Sequence, residues 1–492
     1  MKKIIFLCVV VLFYLLTATT ALASKFLPYD TYNYDYWDSI VFTPAPYVPL
    51  KSISGIALGV GAFSNPQGFV IGPDGLVYIA DTGNHRIVVL NRDLSAAVSI
   101  IDTIHINGQA DSFNTPTGIA VSDDNLLYIA DTENMRIVVL DQGKVINVIR
   151  DPQSEMLDPG FIFKPLKLGV DYAGRVYAVA RGMFQGIMVF SAEGNFTGFF
   201  GTIQVKITAW EILWRTLSTK AERTKQHLFI PTEFTGVAVD PDGFIYASSI
   251  DPDGKQAVRR LNPKGEDVIR KGPKENLGGD IWSTASGSPY AGPSYIVDIT
   301  YRGKGIYSML DSRRGRIFTY DHEGYLLYVF GGLGTQTGTF KQPCAIGVIS
   351  TPDDKIIVLD AGRNELIVFQ ATRYGLLINE AVSLRYDGDE ALAVQKWQEV
   401  LQLNENLEIA NVGIGKAYLT SGDDESAMKY LSMGKDRTYY SIAFKRYRNQ
   451  ILKNSIPYVL TVGSVLLLTG LTFKLVFRRR QNKRGKSVYI GE

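Results

Sequence analysis

Cysteine is nearly absent: Cys8 and Cys344 are the only two in 492 residues. Cys8 lies in an apolar leader, so a chain cleaved after it keeps Cys344 alone and forms no internal disulfide. A chain of this length can bury a core large enough to do without one. An excess of either charge is also missing. With 51 Lys and Arg against 49 Asp and Glu, the net charge is +2, which argues against a nucleic-acid surface. Histidine is scarce, at His85, His105, His227 and His322, and none has the spacing of a zinc motif such as H-E-x-x-H. No G-x-S-x-G nucleophile elbow occurs. Two common routes to hydrolytic chemistry are therefore missing, and no cofactor motif is seen.

What the chain does have is repetition. Asn65–Leu90 reads NPQGFVIGPDGLVYIADTGNHRIVVL, and Asn114–Leu140 reads NTPTGIAVSDDNLLYIADTENMRIVVL. Both copies run through a Pro-x-Gly turn, a short apolar strand, a polar turn, a strand ending Ile-Ala-Asp-Thr, and an Arg that opens the strand Ile-Val-Val-Leu. Short β-branched runs separated by Gly, Asp and Asn are the pattern of hairpins. A unit this small cannot bury its own faces and must stack on copies of itself. Looser copies follow at Lys164–Gly194, Phe234–Gly265, Ser294–Gly324 and Phe340–Phe369, making six.

These residues resemble NHL repeats, the strand units of a β-propeller. The resemblance implies a mainly β fold, a six-bladed propeller over residues 50–371. Propellers close by pairing strands from the two ends of the chain, which leaves no free sheet edge at the seam. Leu50–Ala57, LKSISGIA, is therefore expected to complete the last blade.

The flanking segments have their own patterns. Residues 1–23 have a basic start, an apolar stretch and Ala-Leu-Ala before Ser24, the form of a secretory signal peptide, with an uncleaved anchor as the other reading. Residues 24–49 are rich in Tyr and Pro, which suits either an extended strap on the propeller or an aromatic surface for sugars. Residues 372–453 change to helical period. Gly388 and Gly422, like Ala393 and Ala427, share one offset, and the stretch resembles about two tetratricopeptide repeats. Residues 456–477 are apolar enough to span a membrane, and the basic tail 478–492 follows at once. By the positive-inside rule that tail is cytoplasmic, which leaves the bulk of the chain extracytoplasmic on a single plasma-membrane span.

Candidate binding residues fall in two places. In the insert 205–226, Ile207, Trp210, Trp214, Leu217 and Ala221 have helical spacing. This is an amphipathic helix that packs on the propeller, docks a partner, or lies on lipid, and Trp210 with Trp214 is its natural contact. The second place is the propeller channel, where Gln67, Thr117, Leu166, Thr235, Tyr295 and Cys344 precede or open the innermost strands. Asp81, Asp131, Asp311 and Asp360, with Arg86, Arg136 and Arg316, form either an ion-binding ring or ties within each turn. Asp does the latter routinely. The third and fourth units carry Ala180 and Ser249 instead.

The resemblance also bears on chemistry. Related propellers that hydrolyse sugar lactones hold a divalent metal in the channel on carboxylate and amide ligands, and related lyases use histidines. The six channel candidates include no carboxylate, which makes a poor cage for a hard cation. The expectation is therefore a non-enzymatic, membrane-anchored binding or scaffold protein without metal or cofactor. Protein is the expected partner and a glycan the other option. Bacterial proteins of this layout resemble accessories of sugar-import systems. A metal-dependent lactonase-like or lyase-like hydrolase is the alternative.

Overall fold

The computed structural model describes residues 27–201, 233–251, 256–272, 277–280, 292–349 and 354–486. The leader 1–23, Trp210, Trp214 and the rest of insert 205–226 lie outside them.

Six antiparallel sheets form the blades of a closed ring. Blade 1 consists of Gly68–Ile71, Val77–Asp81, Arg86–Leu90 and Ala97–Ile101. Blade 2 consists of Pro116–Val121, Leu127–Asp131, Arg136–Asp141 and Lys144–Arg150. Blade 3 runs Pro165–Val170, Val176–Ala180, Ile187–Phe190 and Phe196–Phe200. Blade 4 has Phe234–Val239, Ile245–Ser249 and Val258–Leu261, with a bridge from Leu261 to Asp267. Blade 5 has Ile296–Gly303, Ile306–Asp311, Arg316–Tyr320 and Leu326–Phe330. Blade 6 has Pro343–Ile349, Lys355–Asp360 and Glu365–Ala371.

The middle strands are buried on both faces because each blade is packed between two others. Leu127–Asp131 is buried at every position, and Val77–Asp81 and Arg316–Tyr320 at all but one. Such strands read as continuous apolar runs rather than alternating ones. The outer strand Ala97–Ile101 is largely exposed.

The ring closes as expected. Tyr47–Ser54, three residues earlier than the expected Leu50–Ala57, pairs with Glu365–Ala371 as the fourth strand of blade 6. Ile53 then joins one core cluster with Ile79, Val88 and Leu90 of blade 1 and Ile357 and Val368 of blade 6. The two ends of the ring are thus sealed by apolar burial as well as by a strand ladder. The Tyr-rich strap forms a hairpin, Tyr32–Tyr34 with Ile40–Phe42, which extends blade 5 to six strands. Asp280 holds it, accepting from Tyr32 Oη at 2.7 Å and Tyr34 Oη at 2.5 Å.

Two helices, Arg373–Tyr386 and Glu390–Leu403, belong to the propeller's compact unit, residues 1–405. Thr372 caps the first by accepting from Gly375 N–H. Its Asn379 donates to Asp354 at 2.8 Å and to Tyr47 Oη at 3.1 Å, and accepts from Tyr328 Oη at 2.8 Å. Buried Arg302 bonds Tyr328, Tyr47 and Asp354 in the same network. Closing strand, two blades and helix therefore share one polar node. Helices Glu408–Ser421, Asp424–Met433 and Arg437–Lys486 form the second unit, residues 406–492. The helices of 372–453 are thus divided between two bodies. The last helix is continuous and contains a candidate membrane span whose apolar side chains are exposed, as at Leu467 and Phe473.

Candidate functional site

The first strand of each blade is the edge of its sheet, bonded on one side only. Six such edges surround a central cavity of about 290 Å³. Gly68, Gly118 and Gly236 sit where these strands come closest. A Cβ on Gly68 would lie 2.3 Å from Thr117 O, and one on Gly118 would lie 2.6 Å from Leu166 O. The Gly of Pro-x-Gly is therefore not a turn residue. It lies within or at the start of a strand and lets the next blade approach.

Strand register aligns this position in all six blades. Gly68 pairs with Ala80, Lys167 with Val179, Gly236 with Ser248, Asp298 with Leu310 and Ala345 with Leu359, while Gly118 occupies the place between Thr117 and Ile119. Four blades carry Gly or Ala there. Blades 3 and 5 carry Lys167 and Asp298, the only charged residues lining the cavity among the described residues.

Lys167 Nζ and Asp298 Oδ1 are 3.7 Å apart, with side chains 18% and 12% exposed. Lys167 also donates to Cys344 O at 3.1 Å, and Asp298 Oδ2 accepts from Ile346 N–H at 2.9 Å. The pair thereby links blades 3, 5 and 6 across the axis. Burial raises the Asp298 carboxyl above its ordinary value, opposed by the Lys167 ammonium and the Ile346 N–H. Burial likewise pushes the Cys344 thiol up to about 12, so it is not a nucleophile at neutral pH.

The six channel candidates named from the sequence do not line this cavity. Thr117 bonds Thr132 Oγ1 at 2.7 Å and donates toward Leu166 O of the next blade at 3.1 Å. Thr235 donates to Ile296 O at 2.7 Å, and Cys344 Sγ to Pro66 O at 3.2 Å. These three are latches from blade to blade. Gln67 is directed to its own turn, donating to Asn65 at 2.7 Å, and the Tyr295 N–H donates to Asp311 at 2.9 Å. The candidates stand one position before the aligned column, or three in the case of Tyr295. Lining up the units on their Gly positions would have exposed Lys167 and Asp298, because a charge there replaces the smallest residue.

The recurring Asp residues are ties. Asp131, fully buried, accepts from Asn114 N–H at 2.7 Å, Asn134 Nδ2 at 2.9 Å and Arg136 Nε at 2.7 Å. Asp81 does the same with Ser64, Asn84 and Arg86. Asp360 accepts from the N–H groups of Lys341 and Gln342. Among the described residues no three His, Cys, Asp or Glu side chains converge as metal ligands. One carboxylate beside an ammonium does not fit the oxygen cage a hard divalent cation needs.

Residues 63–90 and 113–140 match the NHL repeat. No curated protein matches the chain. Among solved structures, virginiamycin B lyase from Staphylococcus aureus is 10% identical, with 65% of this chain and 99% of that one covered at a TM-score of 0.40. A protein of unknown function from Bacteroides thetaiotaomicron is 14% identical over 67% and 73%, at 0.41. Hydrazine synthase from Kuenenia stuttgartiensis is 11% identical over 63% and 96%, at 0.36.

Proposed function

We propose that this chain, a six-bladed propeller of NHL repeats, is a non-enzymatic binding or scaffold protein held on the outer side of a membrane by its last helix. The observation that supports binding over catalysis is the chemistry of the channel. Among the described residues its one cation and one anion face each other and the backbone of blade 6, and the Cys344 thiol beside it, which does not line the cavity, is raised by burial. No nucleophile there, among the described residues, is paired with a free base, which acyl or glycosyl transfer would need. A rigid closed ring offers fixed surfaces for a protein partner, and the sugar-import machinery that the layout resembles is the first class to test.

The orientation rests on charge and on the leader. Arg478, Arg479, Arg480, Lys483, Arg484 and Lys486 follow the span directly, against Lys445, Arg446, Arg448 and Lys453 just before it. That bias supports a cytoplasmic tail. Protease added to intact cells is expected to digest the propeller and spare a tag on the C-terminus; digestion of the tag with survival of the propeller reverses the orientation. Cross-linking in intact membranes is expected to recover one reproducible partner, and its absence across repeats removes the scaffold role.

A further inference from the structure

The Lys167–Asp298 pair ties three blades and still leaves room between its two charged groups. At 3.7 Å the two groups are close enough to attract but too far apart for a direct hydrogen bond. Each has other work on one side, Lys167 with Cys344 O and Asp298 with Ile346 N–H. Each keeps hydrogen-bonding capacity toward the cavity, since an ammonium has three donors and a carboxylate about four acceptor sites. Gly236 leaves room for the Asp298 carboxylate, because a Cβ there would lie 2.9 Å from Asp298 Oδ1. The cavity of about 290 Å³ is many times the volume of a water and near the low end of small-molecule pockets.

The surroundings narrow the ligand. An anion drawn to Lys167 meets the Asp298 carboxylate, and a cation drawn to Asp298 meets the ammonium. A neutral hydroxyl can accept from one and donate to the other. The remaining wall combines apolar side chains such as Val121, Val170 and Val239 with the unpaired edges of six inner strands. A ring with C–H faces and equatorial hydroxyls matches that mixture. We propose that the channel binds a neutral cyclic polyol of monosaccharide size, one hydroxyl of which bridges Lys167 and Asp298. This deepens the binding reading above, but it is tested on purified protein and does not depend on any partner.

The full-length protein in nanodiscs is titrated with glucose, galactose and mannose as neutral probes, glucuronate as the anionic one and glucosamine as the cationic one. Thermal shift and saturation-transfer NMR are the readouts. At least one neutral sugar is expected to bind the wild type in preference to both charged sugars. Lys167→Gln and Asp298→Asn are each expected to weaken it at least tenfold. Asp298→Asn leaves an ammonium and should gain glucuronate; Lys167→Gln leaves a carboxylate and should gain glucosamine. A flat wild-type response to all three neutral sugars overturns the proposal, and so do variants that bind them unchanged. If both variants unfold, hydrogen exchange in the wild type decides. Slower exchange of inner-strand amides in blades 3, 5 and 6 with sugar supports the site, and unchanged exchange overturns it. Failure here with a partner recovered by cross-linking removes the sugar site alone.

Discussion

Blades 1 and 2 differ from blade 3 at two positions and from blade 5 at one, and the differences separate structure from function. Blades 1 and 2 keep the small residue of the inner strand, Gly68 and Gly118, and the buried carboxylate that ends the second strand, Asp81 and Asp131. Blade 3 has Lys167 and Ala180 at these places, and blade 5 has Asp298 while keeping Asp311. Blade 3 makes good its missing carboxylate at the opposite end of the strand. Asp171 accepts from the Ala173 and Arg175 N–H groups at 3.0 Å each and pairs with the Arg175 guanidinium at 2.7 Å. Blade 4 does likewise, with Asp240 and Arg260. The rim tie is therefore replaceable, since any buried carboxylate that gathers turn N–H groups will serve. The inner-strand charges tie blades 3, 5 and 6 through Cys344 O and the Ile346 N–H, yet Gly or Ala suffices at the same place in the other four blades.

The sharpest way to break this contrast is at the ties. Asp131→Ala leaves Arg136 and the Asn114 N–H without their buried acceptor and is expected to cost about 3–5 kcal/mol. Asp171→Ala in blade 3, beside a half-exposed arginine, should cost only about 1–3 kcal/mol. Urea unfolding of both variants checks the ranking, and equal losses would show that the two ties are equivalent.

Next comes the inner-strand column. Gly118→Ala forces the blade 2 and blade 3 backbones apart and should cost about 1–3 kcal/mol. Ala345→Gly in blade 6 only loosens a strand, at about 0.5–1 kcal/mol. Melting temperatures of the pair test whether close approach is what the Gly position provides; a neutral Gly118→Ala would deny it.

A smaller effect is expected from pH. Because burial raises the Asp298 carboxyl, the folded state holds a proton that the unfolded chain has already released. Its contribution is fully present below the ordinary carboxylate value and is lost as pH rises through the raised one. Asn does not titrate, so the stability of the wild type relative to Asp298→Asn should fall as pH is raised from acid toward neutral. Parallel stability curves for the two proteins would contradict this.

The smallest effect is at the added hairpin. Tyr34→Phe removes one hydrogen bond to Asp280, worth about 1 kcal/mol. Hydrogen exchange across residues 32–42 should quicken while the global melting temperature holds. A matching global loss would mean that the hairpin, like the closing strand, is part of the ring.

Much of this was legible in the residues. Two near-copies with Ile-Ala-Asp-Thr and Arg-Ile-Val-Val-Leu specify stacked hairpins, and Leu50–Ala57 was placed on the last blade because a ring must close. The channel candidates missed because single residues were counted from the start of each unit rather than from the ladder. A bulge after Pro116, Pro165, Phe234, Ile296 and Pro343 shifts the register there, and proline marks it in only three of the five. The sequence offers the hairpin Tyr32–Phe42 as a strap or an aromatic surface but not as added strands, since its partner strand lies nearly three hundred residues away and pairing of that range leaves no local pattern.

By itself, then, the order of residues determined the repeating unit, the number of blades, the need for closure and the apolar last helix. Each of these follows from local periodicity and from the inability of a small sheet to bury both faces alone. Tertiary structure alone decided that Lys167 and Asp298 meet. Residues from blades 3 and 5 become neighbours only when six sheets turn their inner edges to a common axis, and that geometry belongs to the closed ring rather than to any stretch of chain.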